Sequence, residues 1–155
     1  MKRKRLPKSA LIIVFALTMM LAIPLAGCRG EIGFAPASSS ASLSKAAMCK
    51  SVDLQTEEPI EPTNTFTTGT LEIFCSVKLS NAPSGTEVGA EWLYVQDETG
   101  VVKDLLIDTW SRITEGTRYV SSSITKPGTD WPRGDYEVIL YLNGSEIQSV
   151  SFKVQ

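Results

Sequence analysis

From residue 48 onward the chain predicts an all-β domain, a sandwich of about seven antiparallel strands. Three observations carry this. Apolar and polar residues alternate with period two over short runs. Clusters of Pro, Gly, Asn, Asp and Ser break those runs every ~8–12 residues, the spacing of strands in antiparallel all-β folds. Beyond the N-terminal segment, no stretch holds a helical apolar period.

The first strand is expected over residues 49–54. Glu57-Glu58-Pro59-Ile60-Glu61-Pro62 follows as a Pro-rich crossing, since Pro cannot donate to a ladder. In the second strand Leu71, Ile73, Cys75, Val77 and Leu79 share one face, with Glu72, Ser76 and Lys78 on the other. Asn81-Ala82-Pro83-Ser84-Gly85 reads as a turn, Pro pre-setting φ and Gly accepting a positive one. Val88, Ala90, Trp92 and Tyr94 point inward on a third strand. Asp97-Glu98-Thr99-Gly100 leads to a fourth, over about residues 101–110, and a fifth covers residues 118–125. Tyr136, Val138, Leu140 and Leu142 form the inner face of a sixth. Asn143-Gly144 is the pair that two-residue hairpins favour. It opens the last strand, which ends Val150, Phe152 and Val154.

The N-terminal segment has a different texture. Lys2, Arg3, Lys4, Arg5 and Lys8 precede an apolar run from Ala10 to Ile23, broken only by Thr18. That run suits the roughly 7–15 residues of a signal peptide core and is short of the ~20 that span a bilayer. Leu25-Ala26-Gly27-Cys28 follows Pro24. The arrangement resembles the lipobox of bacterial lipoproteins. The resemblance implies a helical signal peptide over residues 1–27, a lipid thioether on Cys28 and cleavage before it. With a palmitate-type chain added at the new amino group, two or three acyl chains give lasting attachment where one is marginal. The chain is thus expected at the cell membrane or envelope, lipid-anchored on the extracytoplasmic side. Residues 28–47 carry the lipidated Cys28 and a Ser/Ala-rich tether that includes Ala35-Pro36-Ala37-Ser38-Ser39-Ser40. Residues 48–155 are the globular domain.

Fifteen basic and seventeen acidic residues give the whole chain a net charge of −2. Five basic residues and no acidic ones lie in residues 1–27, so residues 28–155 carry −7. An acidic surface argues against nucleic acid, which selects basic patches. Of the three Cys, Cys28 is assigned to lipid. Cys49 and Cys75 are then free to close a disulfide worth about 3 kcal/mol for a loop of this length; two buried free thiols are the alternative.

Two stretches carry a fold-level resemblance. Thr86-x-Val88-x-Ala90-x-Trp92 reads like a third strand bearing a buried core Trp. Trp131-Pro132-x-Gly134-x-Tyr136-x-Val138-x-Leu140 reads like a sixth strand whose Tyr forms a corner. Together they resemble the immunoglobulin-like modules of bacterial secreted proteins and lipoproteins, over roughly residues 66–155. The resemblance implies the sandwich and no particular activity. The antibody-type bridge between second and sixth strands is ruled out, because Val138 stands at the sixth-strand position. A bridged Cys75 would therefore reach the first strand.

No His is present. That removes the commonest general base, the His-dependent nucleophilic arrangements and the commonest transition-metal ligand. Ser42-Leu43-Ser44-Lys45 matches the Ser-x-x-Lys pattern of penicillin-binding enzymes, but it lies in a low-complexity stretch without the partner motifs. Asp97-Glu98 and Asp130 with Asp135 are loop carboxylates short of a calcium ligand set. Asn143-Gly144-Ser145 is read as a hairpin turn rather than a glycosylation site. No cofactor, metal or catalytic residue is expected. Trp110, Trp131 and Tyr141 are the candidate binding aromatics, with Phe74 also outward by parity. The expected function is a non-catalytic, lipid-anchored binding or structural module whose partner is an envelope protein or a glycan. The alternative is an inhibitor or accessory subunit of an exported hydrolase, acting through the loop of residues 125–134.

Overall fold

The computed structural model describes residues 40–155, and every described element is a strand. In order these are β1 (Ser42–Leu43), β2 (Ala47–Val52), β3 (Pro59–Pro62), β4 (Thr65–Phe66), β5 (Glu72–Asp97), β6 (Val102–Thr125), β7 (Gly134–Leu142) and β8 (Ser145–Val154). Cys28 and the signal segment lie outside the described residues.

The expected second and third strands are one long strand, β5, and the expected fourth and fifth are one long strand, β6. The two pair antiparallel along almost their whole length. The turn expected at residues 81–85 is a bend instead. Register slips between Leu79 and Ala82 and again between Ala82 and Thr86. Asn81 (φ 55°) and Gly85 (φ 86°) on β5, and Gly116 (φ 79°) on β6, take the left-handed backbone that sharpens it. Below the bend, residues 74–76 pair with β2, which pairs with β3, and Leu79 and Ser80 pair with β1. Above it, residues 88–97 pair with β7, and β7 with β8. A bent ribbon thus belongs to two layers.

The core shows that those layers face each other. Met48, Ile73, Cys75, Val77 and Ile124 from one layer and Ala90, Trp92, Tyr136, Val138, Leu140 and Phe152 from the other form one buried cluster. Trp92 is fully buried, as the alternation with Val88 and Ala90 requires, and its indole N–H has no partner among the described residues. Phe152 packs edge-on to Trp92 at 6.0 Å and to Phe66 at 5.6 Å, and stacks on Tyr136 at 5.1 Å. The Tyr136 hydroxyl donates to Pro132 O at 2.6 Å, the corner expected at the start of the sixth strand. Asn143 (φ 51°) and Gly144 (φ 76°) make the tight hairpin between β7 and β8. The side chain of Asn143 accepts from Glu87 N–H at 2.9 Å, so this Asn braces the neighbouring strand.

Three expectations need correction. First, the ordered domain begins before residue 48. Ser42 and Leu43 pair with Ser80 and Leu79, and Ala46 is buried. Second, the Pro-rich stretch is a strand, β3, placed at the end of the sheet order where a missing N–H is tolerated. Third, Cys49 and Cys75 are both free and buried. Cys75 lies opposite Met48, whereas Cys49 lies opposite Phe74. A one-residue offset puts their side chains on opposite faces of the same sheet. Burial pushes the Cys75 thiol up to about 12.

Candidate functional site

The functional groups gather along β6. This strand pairs with β5 on one side and with no described strand on the other. Near its start, Val101, Val102, Leu105, Leu106 and Ile107 are exposed, from 37% to 62%. Register slips beside Leu106 and Val102, with Asp104 at φ 42°, twist this edge. Bulges and charges of this kind hinder continuous strand addition, so contact there runs through side chains.

Further along β6 stands an ion pair built by a turn 55 residues away. The Asp53 carboxylate accepts from Gln55 N–H (2.9 Å), Thr56 N–H (2.8 Å) and the Thr56 hydroxyl (3.0 Å). Those donors hold its pKa below the ordinary value. The turn ends at Glu57 (φ 60°), whose carbonyl accepts from the Ser76 hydroxyl at 2.7 Å. Ser76 is thereby buried on the outer face of the sheet. The Glu57 carboxylate takes both terminal nitrogens of Arg112 and, at 2.8 Å, the Ser121 N–H. Arg112 donates two parallel bonds, the geometry that makes such pairs strong. It holds the Glu57 carboxyl below its usual range against the opposing effect of burial. The guanidinium also lies over the Trp110 ring at 5.4 Å.

The candidate aromatics separate here. Trp110 is half-buried against the core and against a second, smaller buried cluster of Leu79, Ala82, Val88, Val120 and Leu142. Tyr141 is half-buried and its hydroxyl donates to Glu91 at 2.9 Å. The two line one shallow groove of about 190 Å³ with Glu87, Glu91 and Thr109. Gly89 keeps its floor low: a Cβ there would stand 3.5 Å from that of Tyr141. Phe74 is half-buried opposite Cys49. Trp131 does not join them. It is 4% exposed, donates its indole N–H to Thr70 O at 2.7 Å and packs edge-on to Tyr136. It caps the core, so the loop of residues 125–134 presents no Trp to a partner.

The loop carboxylates are held by neighbouring groups. Asp97, pushed down to about 2, accepts from the Thr99 hydroxyl and from Thr99 and Val101 N–H, and pairs with Lys103. Asp135 meets Gln96 and Lys153, and Asp130 meets Lys126. The sequence missed the Glu57–Arg112 pair. The positive φ of Glu57 and the 55-residue separation leave no local signal; a Glu ahead of Glu-Pro reads as loop.

No family model matches the chain, and no curated protein matches it either. Solved structures do. An immunoglobulin-like protein from Pseudomonas aeruginosa is 11% identical, covering 77% of this chain and 99% of that one, with a TM-score of 0.52. The fold is therefore immunoglobulin-like. An alkylpurine DNA glycosylase from Pseudomonas fluorescens (16% identical, TM-score 0.46) and a β-glucosidase from Listeria innocua (9%, 0.48) also match over 74% of this chain. This chain spans only 30% of the glycosylase and 16% of the β-glucosidase.

Proposed function

We propose that this protein is a non-catalytic binding module, lipid-anchored through Cys28 on the extracytoplasmic side, whose partner is an envelope protein that covers β6. One observation carries the binding reading. Val101, Val102, Leu105, Leu106 and Ile107 expose an apolar cluster on a strand with no neighbour on its outer side, among the described residues. Scattered exposed apolar residues need no explanation, but contiguous ones mark contact surfaces. Trp110 and Tyr141 extend the surface with the residue types that anchor interfaces. The anchor reading is supported by the Leu25-Ala26-Gly27-Cys28 box behind its basic and apolar segments.

The two parts have separate tests. Metabolic labelling with a fatty-acid analogue should mark the parent chain and leave Cys28→Ser unmarked; equal labelling sinks the anchor. For the partner, a photo-crosslinking residue at Leu106 in cells should give one adduct of fixed mass. The same residue at Ile60, on the strand at the far end of the sheet order, should not. Matching adduct patterns from both positions would remove β6 as the contact surface. If the adduct is a stoichiometric exported hydrolase, the protein is that enzyme's inhibitor or accessory subunit.

A further inference from the structure

A second groove, of about 450 Å³, opens where the 53–58 turn lies over the sheet beside Arg112. Its walls include Lys78, Arg118, Tyr119, Thr56 and Thr117, and none of its lining residues is aliphatic. Nine Lys and Arg lie among the described residues, and five of them are in ion pairs. Of the four that are not, Lys78 and Arg118 both line this groove, Lys78 beside Tyr119 on the outer face and Arg118 at the open edge of β6. Two uncommitted cations meeting in one concavity stand out on a chain whose residues 28–155 carry −7. The Lys78 ammonium sits over the Tyr119 ring, 5.8 Å from its centre, so cation and aromatic face form one unit. Of the two carboxylates lining the groove, Glu57 is spent on Arg112 and Ser121. Glu58 is exposed and in no ion pair among the described residues.

From this chemistry we infer that the groove binds an acidic saccharide. Lys78 and Arg118 take the sugar carboxylate, Tyr119 meets a ring face, and Thr56 and Thr117 meet hydroxyls. A peptide would ask for at least one apolar side-chain pocket, which this lining lacks. A neutral sugar would leave both cations unused. The groove is separate from the apolar edge of β6, and its test does not depend on lipidation or on a protein partner.

The full chain, purified in a non-ionic detergent, is titrated calorimetrically with short oligogalacturonides. Neutral malto-oligosaccharides and an oligoglutamate peptide of matched length serve as comparisons. The acidic sugar should bind, more weakly as salt rises. Lys78→Gln and Arg118→Gln should each weaken it about fivefold, as for loss of one charge-assisted contact at a part-exposed position. Both side chains are exposed, so the variants keep the fold. Glu58→Gln should tighten binding about twofold by removing a like charge. Absence of binding, or an affinity unmoved in the Lys78→Gln/Arg118→Gln double variant, overturns the assignment. So does equal binding of the neutral sugar, or tighter binding of the oligoglutamate.

Discussion

Replacing Gly134 by Ala tests the junction on which the upper layer depends. Gly134 opens β7, lying opposite Asp97 of β5 on one side and Val154 of β8 on the other. Its φ is +149°, a region essentially reserved for Gly. A Cβ there would stand 2.2 Å from Gln96 O, 2.9 Å from Tyr94 Cε2 and 3.0 Å from Asp97 Cα. Ordinary contact begins at 3.4 Å, so the β5 and β7 backbones must part by more than 1 Å. The opposing atoms cannot swing aside, because Gln96 is in register with Val102 as well as with Asp135.

Overpacking of this kind costs about 1–3 kcal/mol, and a side chain in such a backbone region about 1–3 more. The sum of about 2–6 kcal/mol is a large part of the roughly 5–15 that a domain holds. Gly144 provides the comparison. It has φ +76° but no atom within 4 Å of its Cβ position, so Gly144→Ala should cost only about 1–2 kcal/mol. Gly69 has neither problem, and Gly69→Ala should change stability by less than about 0.5 kcal/mol. Denaturant melts of the full chain in a mild detergent, followed by Trp fluorescence, rank the three. A Gly134→Ala midpoint equal to the parent's would refute the placement of β7 against β5.

Trp92→Ala should cost about 3–5 kcal/mol as a large core truncation. Trp131→Ala should approach it, because Trp131 is a buried cap; a surface-like melt for Trp131→Ala would return it to the candidate binding residues. Glu57→Gln should cost about 1–3 kcal/mol near neutral pH through loss of its charge-assisted bonds. The folded carboxyl sits below its ordinary 4.5, so that contribution is complete above 4.5 and fades as pH falls through the lower folded value. The gap between Glu57→Gln and parent should therefore close as pH falls below the ordinary carboxylate range, and a gap that widens on acidification counts against the pair. Cys49 and Cys75 should both alkylate under denaturing, non-reducing conditions, and reductant should leave the thermal midpoint unmoved; a reductant-sensitive melt would restore the bridge.

Much of the sandwich was legible because its strands bury one face. Residues 73–79, 88–94 and 136–142 match the expected alternation, inward side included, since alternation and burial are the same signal there, whereas Leu71, expected on the same face as Ile73, is exposed and precedes β5. Asn143-Gly144 was legible because its two positive φ values are a local demand on residue type. The bend in β5 was read as a turn because Pro83 and Gly85 signal the change of direction. They do not reveal that pairing with β6 resumes on both sides of it. Trp131 was misread for the opposite reason. Its surroundings, Pro132 and Gly134, speak of a loop, and what draws it inward is packing on the core together with a hydrogen bond to a carbonyl 61 residues earlier. Cys49 stands out of phase with Val52 and Leu54 in the sequence, but only pairing with residues 74–76 shows which face that phase meets.

The bend also explains why the candidate surfaces sit where they do. Had β5 and β6 run straight, residues 72–80 and 86–97 would share one layer, and Ile73 could not pack with Trp92 in a common core. Bending folds the ribbon over on itself and, among the described residues, leaves the outer side of β6 without a strand in both layers. Ser121 below the bend and Arg112 above it then converge on the same carboxylate, that of Glu57. The clasp fixes the 53–58 turn across the outer sheet face and forms one wall of the cationic groove. It also holds the guanidinium over Trp110, which lines the groove on the Tyr141 side. Loosening Glu57 would therefore disturb the cationic groove directly and the aromatic one through Arg112. The apolar cluster at Val101–Ile107, at the far end of β6, would be left as it is.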